Sequence, residues 1–267
     1  MEEEEVTTLP RLAVLEVRYP LAPALANADS LERLTELLRP RLPIVRGASP
    51  PQFSLSIGQA SMALPQSTFR FMSRDLFTSA TVLPMAALIE TTFYDDWGEF
   101  RGLFEVVLDA IAAISPLQGV ERLGLRYINE IRLDGEPVGL EPWRAVVAPE
   151  ALAPHVLASR LAGYEVKQGF AQSIVGVSDA TTTTIRHGLL EGFAVGEGPL
   201  KLPTPLLKGP FFLVDIDSST TMTEPLPPFD RLETLRALDR LHAPVKAIFE
   251  GIVDKAFRTT ETHAGAQ

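Results

Sequence analysis

The chain has 267 residues, 46% of them apolar and 22% charged, with a net charge of −10 and a pI near 5.0. That length allows one large domain or two modules of ordinary size, and the acidic balance, with Lys and Arg spread singly, disfavours nucleic acid and anionic lipid as partners. Cysteine is absent, which excludes disulfides, thiolate catalysis and cysteine zinc sites; the acidic start, Met1 to Glu5, is the reverse of a signal peptide, and no apolar run reaches the ~20 residues of a membrane span. A cytoplasmic protein with no membrane or nucleic-acid partner is the expectation.

Residues 1–9 read as a disordered N-terminus. Residues 12–19 read as a strand that Pro20 and Pro23 end, and Leu31, Leu34, Leu37 and Leu38 predict a helix over 29–39, stopped by Pro40. A loop is predicted over 40–51. Strand-like runs follow at 52–59, 67–74 and 78–93, the last with Pro84 arguing for an edge position, a bulge or a break. Asp96 and Glu99 have capping-box spacing, and Phe100, Leu103, Phe104, Val107, Leu108, Ile111 and Ile114 recur at helical spacing behind them.

A second strand is predicted over 124–133, then a short helix around 151–160. Strands are predicted at 164–177, 181–193 and 210–218, rich in Thr, Val, Ile and Phe. A long Pro- and Gly-rich loop over 196–210 joins the last two. Asp230 and Glu233 form a second capping box, and the helix behind them contains Pro244, which should kink or split it. Residues 259–267 read as a disordered tail.

Residues 15–19 spell Leu-Glu-Val-Arg-Tyr and residues 123–127 spell Leu-Gly-Leu-Arg-Tyr. Each word opens the same order of elements: strand, helix, three strands, long helix. The expectation is an α+β fold of two pseudo-equivalent modules, 10–120 and 121–258, packed as one unit. Each would have a mainly antiparallel sheet covered by long helices.

The run Arg122-Leu123-Gly124-Leu125-Arg126-Tyr127-Ile128-Asn129-Glu130-Ile131 resembles the hallmark strand of a sporadically distributed, uncharacterised bacterial family of about this length. Glu90 to Tyr94 with Trp97, Glu99 and Phe100, the run Phe212 to Asp217, and Leu238 to His242 with Ile248 to Glu250 resemble it as well. The resemblance spans residues 12–258 and brings no established activity. Members of that family usually carry a basic residue where this chain has Glu130.

Asp215 and Asp217 lie two apart on a strand and therefore share a face, and Glu90 holds a comparable place in the first module. Together they offer oxygen ligands to a divalent cation, or they face solvent or pair with arginines. Arg18 and Arg126 occupy matching places in the two words. Packing about a pseudo-two-fold axis would bring them to a shared centre for a small anionic ligand, because a guanidinium offers a planar fork to carboxylate or phosphate; the other reading is internal ion pairing. Tyr19 and Tyr127 are expected in the core, Asn129 as a satisfied buried amide. Trp97 and Trp143 are either partner anchors or residues lying over helix ends.

The four histidines have no ligand partner at helical or strand spacing. No phosphate loop, nucleophile elbow or His-Glu-x-x-His motif occurs, so no cofactor is expected. The chain is therefore expected to be a non-enzymatic binding or interaction protein, regulatory or antitoxin-like in kind. It would hold a partner protein or small anionic ligand in the groove between the modules, with Trp97, Trp143 and the 196–210 loop at its rim. The competing expectation is a magnesium-dependent phosphate-ester or phosphoanhydride hydrolase. There Arg18, Arg126, Arg186 and Lys167 would grip phosphates and Glu90, Asp215 and Asp217 would hold the metal. Convergence of these side chains on one cavity favours the hydrolase, dispersal favours binding.

Overall fold

A computed structural model describes residues 10–48, 68–133, 135, 137, 139–158, 160, 168–178, 180–222 and 224–254. The elements in chain order are β1 (Pro10–Arg18), α1 (Ala28–Leu38), β2 (Ile44–Ala48), β3 (Thr68–Met72), β4 (Thr78–Leu83), β5 (Ala86–Thr91) and α2 (Trp97–Ile114). Then come β6 (Arg122–Ile131), α3 (Glu141–Arg144), α4 (Ala153–Ala158), β7 (Ala171–Ser178), β8 (Thr181–Glu191), β9 (Pro210–Thr221) and α5 (Arg231–Ile252). All nine strands form one sheet in the order β2-β3-β4-β5-β1-β6-β9-β8-β7, every neighbouring pair antiparallel.

This corrects the expected fold class. Two helix-covered α+β modules would each close their own sheet. Instead β1 and β6 pair with each other across the expected boundary, and the dominant element is a single continuous antiparallel sheet. The helices do not cover it. They pack on one face, and the other face is built by strands and a loop.

Period-two alternation sorts the side chains. Ala13, Leu15 and Val17 of β1, Leu123, Leu125 and Tyr127 of β6, and Phe212, Val214 and Ile216 of β9 turn to the helices and are buried. Phe100, Phe104, Val107 and Ile111 of α2 and Leu235, Leu238 and Leu241 of α5 meet them. Tyr19 is fully buried, its hydroxyl donating to the carbonyls of Leu83 (2.8 Å) and Ala86 (3.0 Å). Asn129 Nδ2 donates to the Val214 carbonyl at 2.9 Å.

Both capping acids act as caps: Asp96 Oδ1 accepts from the Glu99 N–H and Asp230 Oδ1 from the Glu233 N–H, each at 2.9 Å. The reciprocal half of the box is replaced. Glu99 pairs with Arg41, and Glu233 with Arg240 at 2.6 Å. α2 and α5 run side by side with opposite sense. Trp97 Nε1 donates to Asp239 at 3.0 Å, Arg101 Nε to the same carboxylate at 2.8 Å, and Arg231 Nε to Asp109 at 2.6 Å.

Three local expectations change. The 78–93 run is a hairpin, with Pro84 and Met85 turning between β4 and β5. Part of the 40–51 loop is β2. α5 runs through Pro244 without splitting, because Leu241 and Val245 on either side are buried and hold the turn against the sheet. The run expected at 52–59 lies outside the described residues. No described helix is long and apolar enough to cross a membrane.

Candidate functional site: the arginine face of the sheet

The face turned away from the helices is polar where it crosses the middle of the sheet. Reading across β1, β6 and β9, one row holds Arg18, Arg122 and Thr221. The next holds Glu16, Gly124 and Ser219, extended by Thr182 of β8. The third runs Glu90, Val14, Arg126, Asp217 and Thr184, the fourth Leu12, Ile128, Asp215 and Arg186. Parity places all these side chains on one face.

Asp215 is the anchor of the lower end. It is 1% exposed, and both its oxygens are taken. Arg126 Nε and Nη2 donate to Oδ1 and Oδ2 at 2.7 and 2.8 Å, and Arg186 Nη1 donates to Oδ2 at 3.2 Å. The bidentate fork fixes Arg126, and its guanidinium is held further toward the charged state by the Asp215 carboxylate. At the upper end Glu16 plays the same part. Arg18 Nε donates to it at 2.8 Å, and Arg122 Nη1 donates to its other oxygen. Gly124 makes that contact possible: a Cβ there would stand 2.8 Å from Arg122 Nη1, so the guanidinium lies over bare backbone.

Asp217 sits between the two clusters, opposite Arg126. Burial raises its pKa, with Arg126, Arg122 and Arg186 pulling down and Asp215 pushing up. No ion pair or hydrogen bond ties its carboxylate to another described residue. Hydroxyls separate by face. Those turned to the helices pair with one another, Thr181 with Thr220 and Thr183 with Ser218, each at 3.0 Å. Those on the arginine face, Thr182, Thr184 and Ser219, have no such partner among the described residues.

Residues 192–209 form a strap across the lower end. Ala194 N–H donates to Glu130 Oε2 at 2.6 Å, and Arg132 donates to the Leu207 carbonyl at 2.8 Å. Lys201 N–H reaches the Leu76 carbonyl at 2.9 Å, and Arg11 donates to Thr204 Oγ1. Ala194 and Val195 pack on the cluster of Ile128, Phe211 and Leu213. The opposite end is open, since the Arg18 side chain is 55% exposed.

The expected site residues are therefore divided. Arg18, Arg126, Arg186, Asp215, Asp217 and Glu90 share one face. Glu90 is drawn away from the aspartates by Arg70, whose Nη2 donates to it at 3.2 Å, and burial raises its pKa against that pull. In register Glu90 shares the row of Asp217, but Val14 and Arg126 stand between them. Trp143 is fully buried in the core on the other face. Trp97 is on that helix side too, stacked on His242 with centroids 4.3 Å apart. Lys167 lies outside the described residues.

Arg18 and Arg126 do not meet at a centre. The β1–β6 register sets Glu16 against Gly124, the second residues of the two words, so Arg18 faces Arg122 and Arg126 faces Val14. Arg122 was thus missed as a site residue, as was Glu16. Their signal appears only once the pairing is known: two antiparallel strands paired about residues 16 and 124 set 18 opposite 122. Comparison with family models, with curated proteins and with solved structures finds no match.

Proposed function

We propose that the chain is a non-enzymatic binding protein for a small anionic ligand, held by Arg18, Arg122, Arg126 and Arg186 on the arginine face. The observation that carries this reading is the pair of carboxylate-anchored arginine clusters. Arg18, Arg122, Arg126 and Arg186 share the face with Glu16, Asp215 and Asp217, and with a separate Glu90–Arg70 pair beyond β1, in a chain of net charge −10. Glu16 and Asp215 each hold one edge of two guanidiniums. Arginines fixed in this way lose less side-chain freedom when an anion binds their remaining N–H groups.

The hydrolase reading has weaker support. Both Asp215 oxygens are occupied by arginine, and Glu90 is paired with Arg70 on the far side of β1. Among the described residues no three acidic or histidine side chains gather as a cation would need.

Calorimetric titration with pyrophosphate at low salt tests the proposal. Binding is expected, weakening in 0.5 M NaCl as screening grows. Arg122→Gln is expected to weaken it by about 10-fold or more, the worth of one charge-assisted hydrogen bond at ~1.5–3 kcal/mol. Absence of binding to pyrophosphate, citrate and phosphate at millimolar concentration by folded protein would overturn it. So would magnesium-dependent turnover of pyrophosphate abolished by Asp217→Asn.

A further inference from the structure

Across β6, β9 and β8 the two arginine clusters are separated by uncharged donors with one carboxylate, Asp217. Arg122 leans over Gly124, which moves its guanidinium toward the middle of the face. Arg126 leans the other way, to Asp215 in the next row. With ~3.4 Å per residue along β6 and four residues from Arg122 to Arg126, the two cationic ends lie roughly 14 Å apart. Between them stand Ser219, Thr184 and Asp217.

That order of chemistry specifies a ligand. Guanidinium forks at both ends match phosphate oxygens. The hydroxyls donate and accept, and the Asp217 carboxylate accepts from hydroxyl groups. Among the described residues the rows between the clusters contain no aromatic ring on which a nucleobase would stack. Resting on the anion-binding reading above, we propose that the face binds a sugar bisphosphate. One phosphate lies at Arg18 and Arg122, the other at Arg126 and Arg186, and the hydroxylated chain lies over Ser219, Asp217 and Thr184. The strap over the lower end makes the exposed Arg18 end the way in.

Fructose 1,6-bisphosphate, fructose 6-phosphate and inorganic phosphate serve as probes in parallel titrations. The bisphosphate is expected to bind about 30-fold or more tightly than the monophosphate, since it adds a second charge-assisted contact of ~2 kcal/mol. Gly124→Ala displaces only the flexible tip of Arg122. It is expected to reduce the bisphosphate's advantage while the melting temperature holds. Thr184→Val with Ser219→Ala is expected to weaken both sugar phosphates and leave inorganic phosphate unchanged. Equal affinity for bisphosphate and monophosphate, with phosphate binding still lost in Arg122→Gln, would overturn the two-headed site and leave the anion-binding reading standing. No binding of any of the three would remove both.

Discussion

At the residue scale the face is organised by two carboxylates that neutralise less charge than they position. Asp215 is buried and holds two arginines, so Asp215→Asn leaves two guanidiniums facing a neutral amide in a poorly solvated place. A loss of about 3–5 kcal/mol in unfolding free energy is expected, the cost of breaking a buried ion pair from one side; urea titration reads it. Asp217 behaves oppositely. A carboxyl whose folded-state pKa is raised keeps its proton longer in the folded chain than in the unfolded one. That stabilises the fold as pH falls toward the ordinary 3.8 and is lost as pH rises through the raised value. Asp217→Asn is expected to melt above the wild type at pH 8, with the gap closing toward pH 4.5. A gap that widens on acidification would show that Asp217 is held by the arginines and not penalised by burial. The pairing of Asp215 and Asp217 on one face was legible from their spacing. Arg122 was not, because its role depends on a neighbour in another strand and on the missing side chain at Gly124.

At the element scale, the features read well from sequence are those that local physics decides. The two capped helices are examples: Asp96 and Asp230 each satisfy an N–H that the first turn leaves without a helical partner. Asp96→Ala and Asp230→Ala are each expected to cost about 1 kcal/mol of stability without affecting anion binding, measured by chemical denaturation alongside the pyrophosphate titration. The features read poorly are those that tertiary pairing decides. β2 carries few strand signals and exists as the partner of β3. Pro84 signals an edge, a bulge or a break, and only the pairing of β4 with β5 decides for the break, a hairpin turn. Pro244 signals a kink or a split, and the split does not occur because buried neighbours on both sides carry the helix past it. The strap over 196–210 was read as a loop that binds or is disordered. Its fixing residues, Glu130, Arg132 and Arg11, sit on β1 and just along β6, and nothing local marks them as its partners.

At the scale of the whole molecule, the contact between β1 and β6 makes the protein. It converts what the sequence presents as two similar units into one sheet, buries a common core on the helix side, and carries the arginine face across the join. Strand alternation puts Asp215 and Asp217 on one face, but no period in a sequence states which strand lies beside which, and that is why the fold class differs from the expectation. The functional reading stands on the outward half of the same alternation. Its most direct test is NMR of the arginine Nε–H groups during titration with pyrophosphate. The account predicts saturable shifts at Arg18, Arg122, Arg126 and Arg186, with Arg101, Arg231 and Arg240 on the helix side unmoved. Shifts confined to the helix-side arginines, or none at any arginine while the protein remains folded, would contradict it.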